Sequence, residues 1–388
     1  MKILYITPQL GKGGAEDILV NLTSHFAKEH NVTLFLFNRY KEDTYNVSRL
    51  DKNVKLESFF NSNKALHSKI SRLINKLIYL LSPFFSIYIF FNYRFYKYDI
   101  IHINMTMSSF YTPFFKLLAI IFPKCNIKFI ETFHTNWHLL KKFNKIVFPI
   151  SWSIVDKVVY EIGEKEDTKI KKYSFATNIS YIPFGVPAEE KKENGFLDRF
   201  KNDFFNFKEE DFFIIMSIAR LRIFEKRFDL ILEVLSLIKK EGFDRFKYII
   251  CGDGPDRNII ETMIKDFDLI DNVIITGYID KPQQIVSLSN LYIIAMVDNS
   301  TGISGLQAGM ANVPVIGVQT SKNYDGKNDE IYSSNNILEL KEKILLLLDK
   351  NNYTEYKKTS TSYIQEKFNI DKFYSSYKEL YNKLMNEK

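Results

Sequence analysis

KILYITPQLGKGGAEDILVNLTSHFAKEHNVTLFLF, residues 2–37, decides the fold. KILYIT is an apolar run of β-formers, and PQLGKGG is a loop of turn-formers. From Ala15 onward the apolar residues fall at Ile18, Leu19, Leu22 and Phe26, one face of a helix. NVTLFLF is a second strand. Strand, helix and strand at this spacing predict a parallel pair joined by a right-handed crossover. Further strands are expected at residues 99–103, 128–132, 157–160 and 180–183. The second half repeats the alternation more cleanly, with strands expected at FFIIMS (from Phe212), KYIICG (from Lys247), NVIITG (from Asn272), LYIIAM (from Leu291) and VPVIGV (from Val313). Between the first two, Phe228, Ile231, Leu232, Leu235 and Ile238 line a helical face. The fold class is α/β: two doubly wound domains, with the ligand crevice expected between them at the carboxyl ends of the strands.

The 388 residues exceed one ordinary core and suit two domains, and 46% hydrophobic residues can fill both. The expected division is residues 1–190, residues 191–365 and a C-terminal helix at 366–388. Phe373, Tyr377, Leu380 and Leu384 form the apolar stripe of that helix. The charged, strand-poor stretch 188–210 reads as the linker. Only two cysteines occur, Cys125 and Cys251. They imply a reducing compartment and no disulfide framework, and neither has partners at zinc-ligand spacing. MKILYITPQL turns polar too soon for a signal peptide and reads as a buried first strand.

The net charge of +7 is uneven: residues 61–130 hold nine Lys and Arg against the single acid Asp99. Such asymmetry points to a polyanionic partner. Within it, Leu66, Ile70, Leu73, Ile74, Leu77 and Leu81 share one helical face, flanked by Lys69, Arg72 and Lys76. The apolar run 77–91 contains Pro83 and is shorter than the roughly twenty residues a spanning helix needs. A basic amphipathic helix lying on an anionic membrane fits this pattern; an ordinary core helix with solvated lysines is the plainer alternative. No aromatic-basic module for nucleic acid occurs.

Five motifs follow strands. Gly11, Gly13 and Gly14 precede the first helix and either admit an anion to its N-terminus or simply make a tight turn. Arg220 and Lys226 follow FFIIMS and suit a diphosphate, although Glu225-Lys226-Arg227 also reads as a solvated helix start. Gly252 and Gly254 make a sharp turn before Pro255. In NSTGISGLQAGMANVPV, residues 299–315, the amides of Gly302, Ile303 and Ser304 open a helix and can hold phosphate oxygens. The small residues Ala308, Gly309 and Ala311 allow close helix–sheet packing. His134, in ETFHT, ends a strand and is either a site residue or a structural one; His102 is the same kind of candidate.

In order and spacing these motifs resemble the retaining GT-B glycosyltransferases of family 4, the group 1 glycosyltransferases. GGAEDILVNLTSHFAKEHNVTLF, DIIHIN, ETFHT, IPFGVP, SIARLRIFEKRFDLILEVL and GDGPDRNIIETMIKDFDLIDNVIITGYI carry the resemblance, which covers essentially the whole chain. It implies a GT-B fold, two Rossmann-like domains facing a central cleft, with the C-terminal helix packing back toward the N-terminal domain. It implies His134, Arg220 and Lys226 as catalytic residues. It implies donor contacts from Gly13, Gly14, Arg220, Lys226, Gly252, Asn299, Gly302, Ile303, Ser304 and Gln307. Arg220 and Lys226 would stabilise the departing diphosphate, so no metal and no cofactor are expected. There is one departure. The family carries two glutamates eight apart after the LYIIAM strand, and here Asn299 and Gln307 stand at those positions. Amides can still bond hydroxyls but bring no charge. The implied activity is transfer, with retention, from a nucleotide sugar to a glycan or lipid-linked acceptor in cell-surface polysaccharide synthesis. The N-terminus and the basic amphipathic stretch add the expectation of a cytoplasmic protein peripheral to the inner membrane face. A non-catalytic GT-B binding protein and a GT-B sugar-nucleotide epimerase stay open as alternatives.

Overall fold

The computed structural model describes residues 1–11, 13–40, 44–62, 82–104, 108–122, 126–134, 144–161, 178–187, 194–279, 281–296, 302–319 and 331–387. The chain divides into two compact units, Met1–Gly185 with Asp371–Lys388, and Val186–Ile370.

The first unit is built on a seven-stranded parallel sheet. Its strands are β1 (Lys2–Thr7), β2 (Asn31–Tyr40), β3 (Lys55–Ser62), β4 (Ile100–Asn104), β5 (Lys128–Phe133), β6 (Lys157–Tyr160) and β7 (Ile179–Tyr181). They run in the order β3-β2-β1-β4-β5-β6-β7. The central strands are buried on both faces, which is why they read as unbroken apolar runs rather than alternating ones. The strand order reverses between β1 and β4, and that reversal opens a crevice at their carboxyl ends.

The second unit repeats the plan with six parallel strands: β8 (Phe213–Ile218), β9 (Phe246–Cys251), β10 (Val273–Gly277), β11 (Leu291–Met296), β12 (Val315–Gln319) and β13 (Ser333–Ser334). Their order is β10-β9-β8-β11-β12-β13, so the corresponding reversal lies between β8 and β11. The helix Phe228–Lys240 buries Phe228, Ile231, Leu232, Leu235 and Ile238, the face its spacing predicts.

The helix Ile370–Asn386 buries Phe373, Tyr377, Leu380, Tyr381 and Leu384, and from Asp371 onward it belongs to the first unit. It is fastened to the first unit's own helix, Gly14–Phe26, and the residues following it. Tyr374 stacks on His25 with ring centroids 3.7 Å apart, and Lys378 pairs with Glu29 at 2.8 Å. The stretch expected to be a linker is more ordered than its composition suggests. Residues 194–210 hold the helix Phe196–Phe204, which buries Phe200. The proposed amphipathic helix over residues 66–81 lies outside the described residues.

Candidate functional site

In the second unit, β8 ends at Ile218 and the chain passes through Ala219–Arg222 into the short helix Ile223–Lys226. Arg220 is exposed at this turn, and Lys226 is half-buried. Burial lowers the Lys226 pKa by disfavouring its charge, with the carboxylate of Glu225 acting in the opposite sense. The turn is shaped by its neighbour. Gly252 has φ +151, and a side chain there would collide with the carbonyl oxygen of Ala219. A side chain at Gly254 would lie 2.7 Å from the Leu221 amide nitrogen and 2.8 Å from its carbonyl carbon. Leu221 N–H donates to Asp253 O at 3.1 Å, Asp256 N–H to Leu221 O at 3.2 Å, and Ile223 N–H to Asp256 Oδ2 at 2.9 Å. Thus Gly252, expected as a donor contact, serves a close approach of backbone to backbone that fixes the loop bearing Arg220.

Across the strand reversal stands a residue that sequence reading did not single out. Tyr292, fully buried on β11, accepts the Ile218 N–H at 2.8 Å and donates to the Ile218 carbonyl at 3.3 Å. The Ser304 side chain also lies beside it and favours its ionised form, against the burial that raises its pKa. One phenol therefore meets both the end of β8 and the start of the helix Ile303–Met310. Gly302 caps that helix without any side-chain bond, and the first intrahelical bonds are those of Gly305 and Leu306 N–H to Gly302 O, at 3.0 and 3.2 Å. The amides of Ile303 and Ser304 precede them, at the positive end of the helix. Gln307 is half-buried one turn on; Asn299 lies outside the described residues. Gly309 turns out to face a helix rather than the sheet. A side chain there would collide with Ile364 of the helix Lys350–Lys367.

In the first unit the two histidine candidates separate. His102 is fully buried, with Nδ1 2.7 Å from Tyr381 Oη and Nε2 2.5 Å from Thr132 Oγ1. Burial, with His134 nearby, pushes its pKa down to about 3. Both its nitrogens are used within the fold, so it is structural. His134, just past β5, has Nδ1 2.9 Å from the buried carboxylate of Glu161, without the alignment of a hydrogen bond. Tyr377 of the C-terminal helix donates to the other Glu161 oxygen at 2.8 Å. His134 Nε2 is buried and meets no hydrogen-bond partner among the described residues. Sequence reading missed Glu161 and Tyr377 as its supports, although Glu161 stands directly after the KVVY strand, where a carboxylate is worth noting. Glu131, beside His134 in ETFHT, is buried and accepts from Ser151 Oγ at 2.5 Å. Its pKa rises to about 7, chiefly through desolvation.

Gly13 is the N-cap of the helix Gly14–Phe26, and its open side is filled by the Glu16 carboxylate. Glu16 and Asp17 occupy the first turn, so this helix end already holds negative charge of its own. A separate cavity of about 270 Å³ lies at the opposite, amino-terminal ends of β8 and β9, where Phe213, Phe246, Ile344 and Leu348 line it. It is predominantly apolar and away from Arg220, so it does not suit a nucleotide.

Residues 198–365 match the family profile described as Glycosyl transferases group 1, and residues 12–190 match that of Glycosyltransferase Family 4. Together the two profiles span most of the chain. The chain belongs to the group 1 glycosyltransferases. A curated relative of this transferase, the poly(ribitol-phosphate) alpha-N-acetylglucosaminyltransferase of Staphylococcus aureus (strain COL), is 27% identical over 175 residues. The match covers 44% of this chain and 35% of the relative, so the chain spans about a third of that relative's length. Among solved structures, Anabaena Alr3699/HepE in complex with UDP and glucose superposes with a TM-score of 0.73 at 14% identity. That likeness covers 99% of this chain and 100% of the other. A variant of S. aureus TarM in complex with fondaparinux, alpha-GlcNAc-glycerol and UDP gives 0.69 at 15%, covering 98% and 100%. Both show that the transferase has the GT-B fold. Among its described residues no helix is long and apolar enough to cross a membrane.

Proposed function

We propose that the transferase moves a sugar from a nucleoside-diphosphate sugar to a hydroxyl of a cell-surface glycan or its lipid-linked precursor, with retention of anomeric configuration. The observation that carries this reading is the Tyr292 hydroxyl. It ties the strand end bearing Arg220 and Lys226 to the helix start at Gly302, Ile303 and Ser304. Two anion-holding devices of different kind are thereby set together where the strand order reverses. A diphosphate suits both: guanidinium and ammonium for its charge, backbone N–H groups for its oxygens. As the bond to the sugar breaks, negative charge grows on the departing oxygen, and donors already in place stabilise it without reorganising. Burial disfavours the charge on Lys226, and an arriving diphosphate favours it. The reading assigns charge neutralisation to these groups rather than to a divalent cation.

Gln307, with Asn299, is assigned to hydroxyls of the donor, as an amide that both donates and accepts. His134 is assigned a hydrogen bond from the first unit to the acceptor through Nε2. The printed name of the curated relative supports both retention and acceptor class. Its product is α-linked, as are common nucleotide-sugar donors, and its acceptor is a polyol phosphate.

The test is to incubate the full chain with a panel of UDP-sugars and a short alditol-phosphate acceptor, following UDP release and the anomeric configuration of the product. Turnover with one donor, an α product and persistence in EDTA are expected. Arg220→Ala and Lys226→Ala should each lower kcat/KM by about 10²–10³, and Gln307→Ala should raise the donor KM. If no donor binds and Lys226→Ala alters nothing, the reading is wrong.

A further inference from the structure

We infer that the first unit docks on an anionic lipid bilayer through the paired helices Ser82–Asn92 and Thr112–Ile121, with a cationic cavity beside them receiving lipid phosphates. The inference stands apart from the assignment of the donor site, because it rests on a different part of the molecule.

A helix on a soluble surface buries an apolar stripe and turns polar residues outward. The helix Ser82–Asn92 does not. Inward it buries Ile89 and Phe90, and outward it exposes Phe84, Ile87, Tyr88 and Phe91, at positions i, i+3, i+4 and i+7. Phe84 is 72% exposed, far beyond the partial exposure usual at the rim of a core. The helix Thr112–Ile121 repeats the pattern. It buries Phe115, Leu118 and Ala119 and turns Leu117, Ile120 and Ile121 outward, with Ile120 at 64%. The two helices pack together, and Phe91 meets Phe122 edge-on at 5.0 Å, so the outward faces form one surface. A contiguous apolar patch of this kind marks an interaction site. With eleven and ten residues, both helices are too short to span a bilayer and long enough to lie in its interface.

Charge selects the occupant. Directly after the first helix, Arg94 and Lys97 are exposed, and with Lys2 and Lys55 they line a cavity of about 690 Å³. Glu57 is the single acid of that lining, and it pairs with Lys55 at 2.5 Å. Of the remaining cations, Arg94 and Lys97 follow directly on the end of the apolar helix. A second copy of the chain docking face to face would bring like charges together. Phe84, Tyr88 and Phe91 are aromatic, but Ile87, Leu117, Ile120 and Ile121 share the face and offer nucleic acid no stacking platform. An apolar face edged by cations is complementary to acyl chains beneath anionic headgroups.

The test is sedimentation of the full chain with vesicles of phosphatidylcholine alone and of equal parts phosphatidylcholine and phosphatidylglycerol, at low and high salt. Binding to the mixed vesicles is expected, weakened by salt, with little binding to phosphatidylcholine alone. The pair Arg94→Gln and Lys97→Gln should weaken it by about fivefold per charge. The triple variant Phe84→Ser, Ile87→Ser and Ile120→Ser should bind at least about a hundredfold more weakly. These positions are exposed and outside the proposed donor site, so donor hydrolysis and circular dichroism should match the parent. Equal binding to both vesicle types overturns the proposal. So does a triple variant that binds like the parent, and so does a dimer in solution that this variant dissociates, which would assign the face to a second copy. Loss of vesicle binding with intact sugar transfer leaves the catalytic reading standing, and the converse leaves this one standing.

Discussion

Glu131 and His102 sit on adjacent strands, both buried, and titrate in opposite senses. A carboxyl held above its ordinary 4.5, at about 7, favours the folded state while protonated. Its contribution is full below about 4.5 and fades as pH climbs to about 7. An imidazole held below its ordinary 6.5, at about 3, favours the folded state while neutral. That contribution is full above 6.5 and fades as pH falls toward 3. Each can tilt stability by at most about 1.4 kcal/mol per pH unit. Between 4.5 and 6.5 the two slopes oppose each other; below 4.5 only the histidine's remains. Glu131→Gln keeps most of the hydrogen bonds and removes one slope. The variant should lose stability steadily from pH 6.5 to 4.5, where the parent stays nearly level, and the two should fall alike below 4.5. Thermal unfolding across pH 3–7 measures this, and coincident profiles would contradict it. At this scale the sequence shows which residues end strands but not how their polar atoms are used. His102 and His134 look alike as letters, and only the partners on Tyr381, Thr132 and Glu161 tell them apart. Gly252 reads equally as a turn glycine or a ligand contact because both have the same signature, and only the close approach of the Ala219 carbonyl shows its part in the turn. Tyr292 is hidden because a tyrosine inside an apolar strand reads as core.

At the scale of elements, the helix Ile303–Met310 is positioned by contact with the helix Lys350–Lys367. A methyl group on Gly309 would sit 2.8 Å from Ile364 Cγ2 and 2.9 Å from its Cβ, closer than packed carbons tolerate. Gly309→Ala should therefore destabilise the second unit by about 1–3 kcal/mol and weaken donor binding by displacing Ser304 and Gln307. Ile364→Ala, which removes the Cγ2 contact, should recover part of both losses. A double-mutant cycle by denaturant unfolding and donor titration checks this; simple additivity would mean that the helices are not coupled there. The elements that sequence reading found are the long apolar ones. It missed β3, where KLESFFNS mixes charge and apolar residues, and β13, which is two residues long. It took residues 188–210 for a linker because the helix there buries little beyond Phe200.

At the scale of the whole molecule, the first unit is discontinuous in sequence. Its last helix supplies Tyr377 and Tyr381 to the buried chain of contacts from Tyr5 through His102 and Thr132 to Glu161. Removing residues 371–387 strips those partners and uncovers the core around Tyr5 and Phe26. The shortened chain should keep cooperative unfolding and exchange protection in residues 186–370 while losing both in the first unit. Hydrogen exchange resolved by peptide tests this, and protected amides in β1 and β4 of the shortened chain would refute it. The same discontinuity sets a timetable during synthesis. The first strands leave the ribosome early, but the helix that completes their unit is made only after the entire second unit. At roughly 5–20 residues per second the wait is on the order of ten to forty seconds. Over that interval the nascent first unit needs a chaperone or stays open, and the second unit can finish folding before the first has closed.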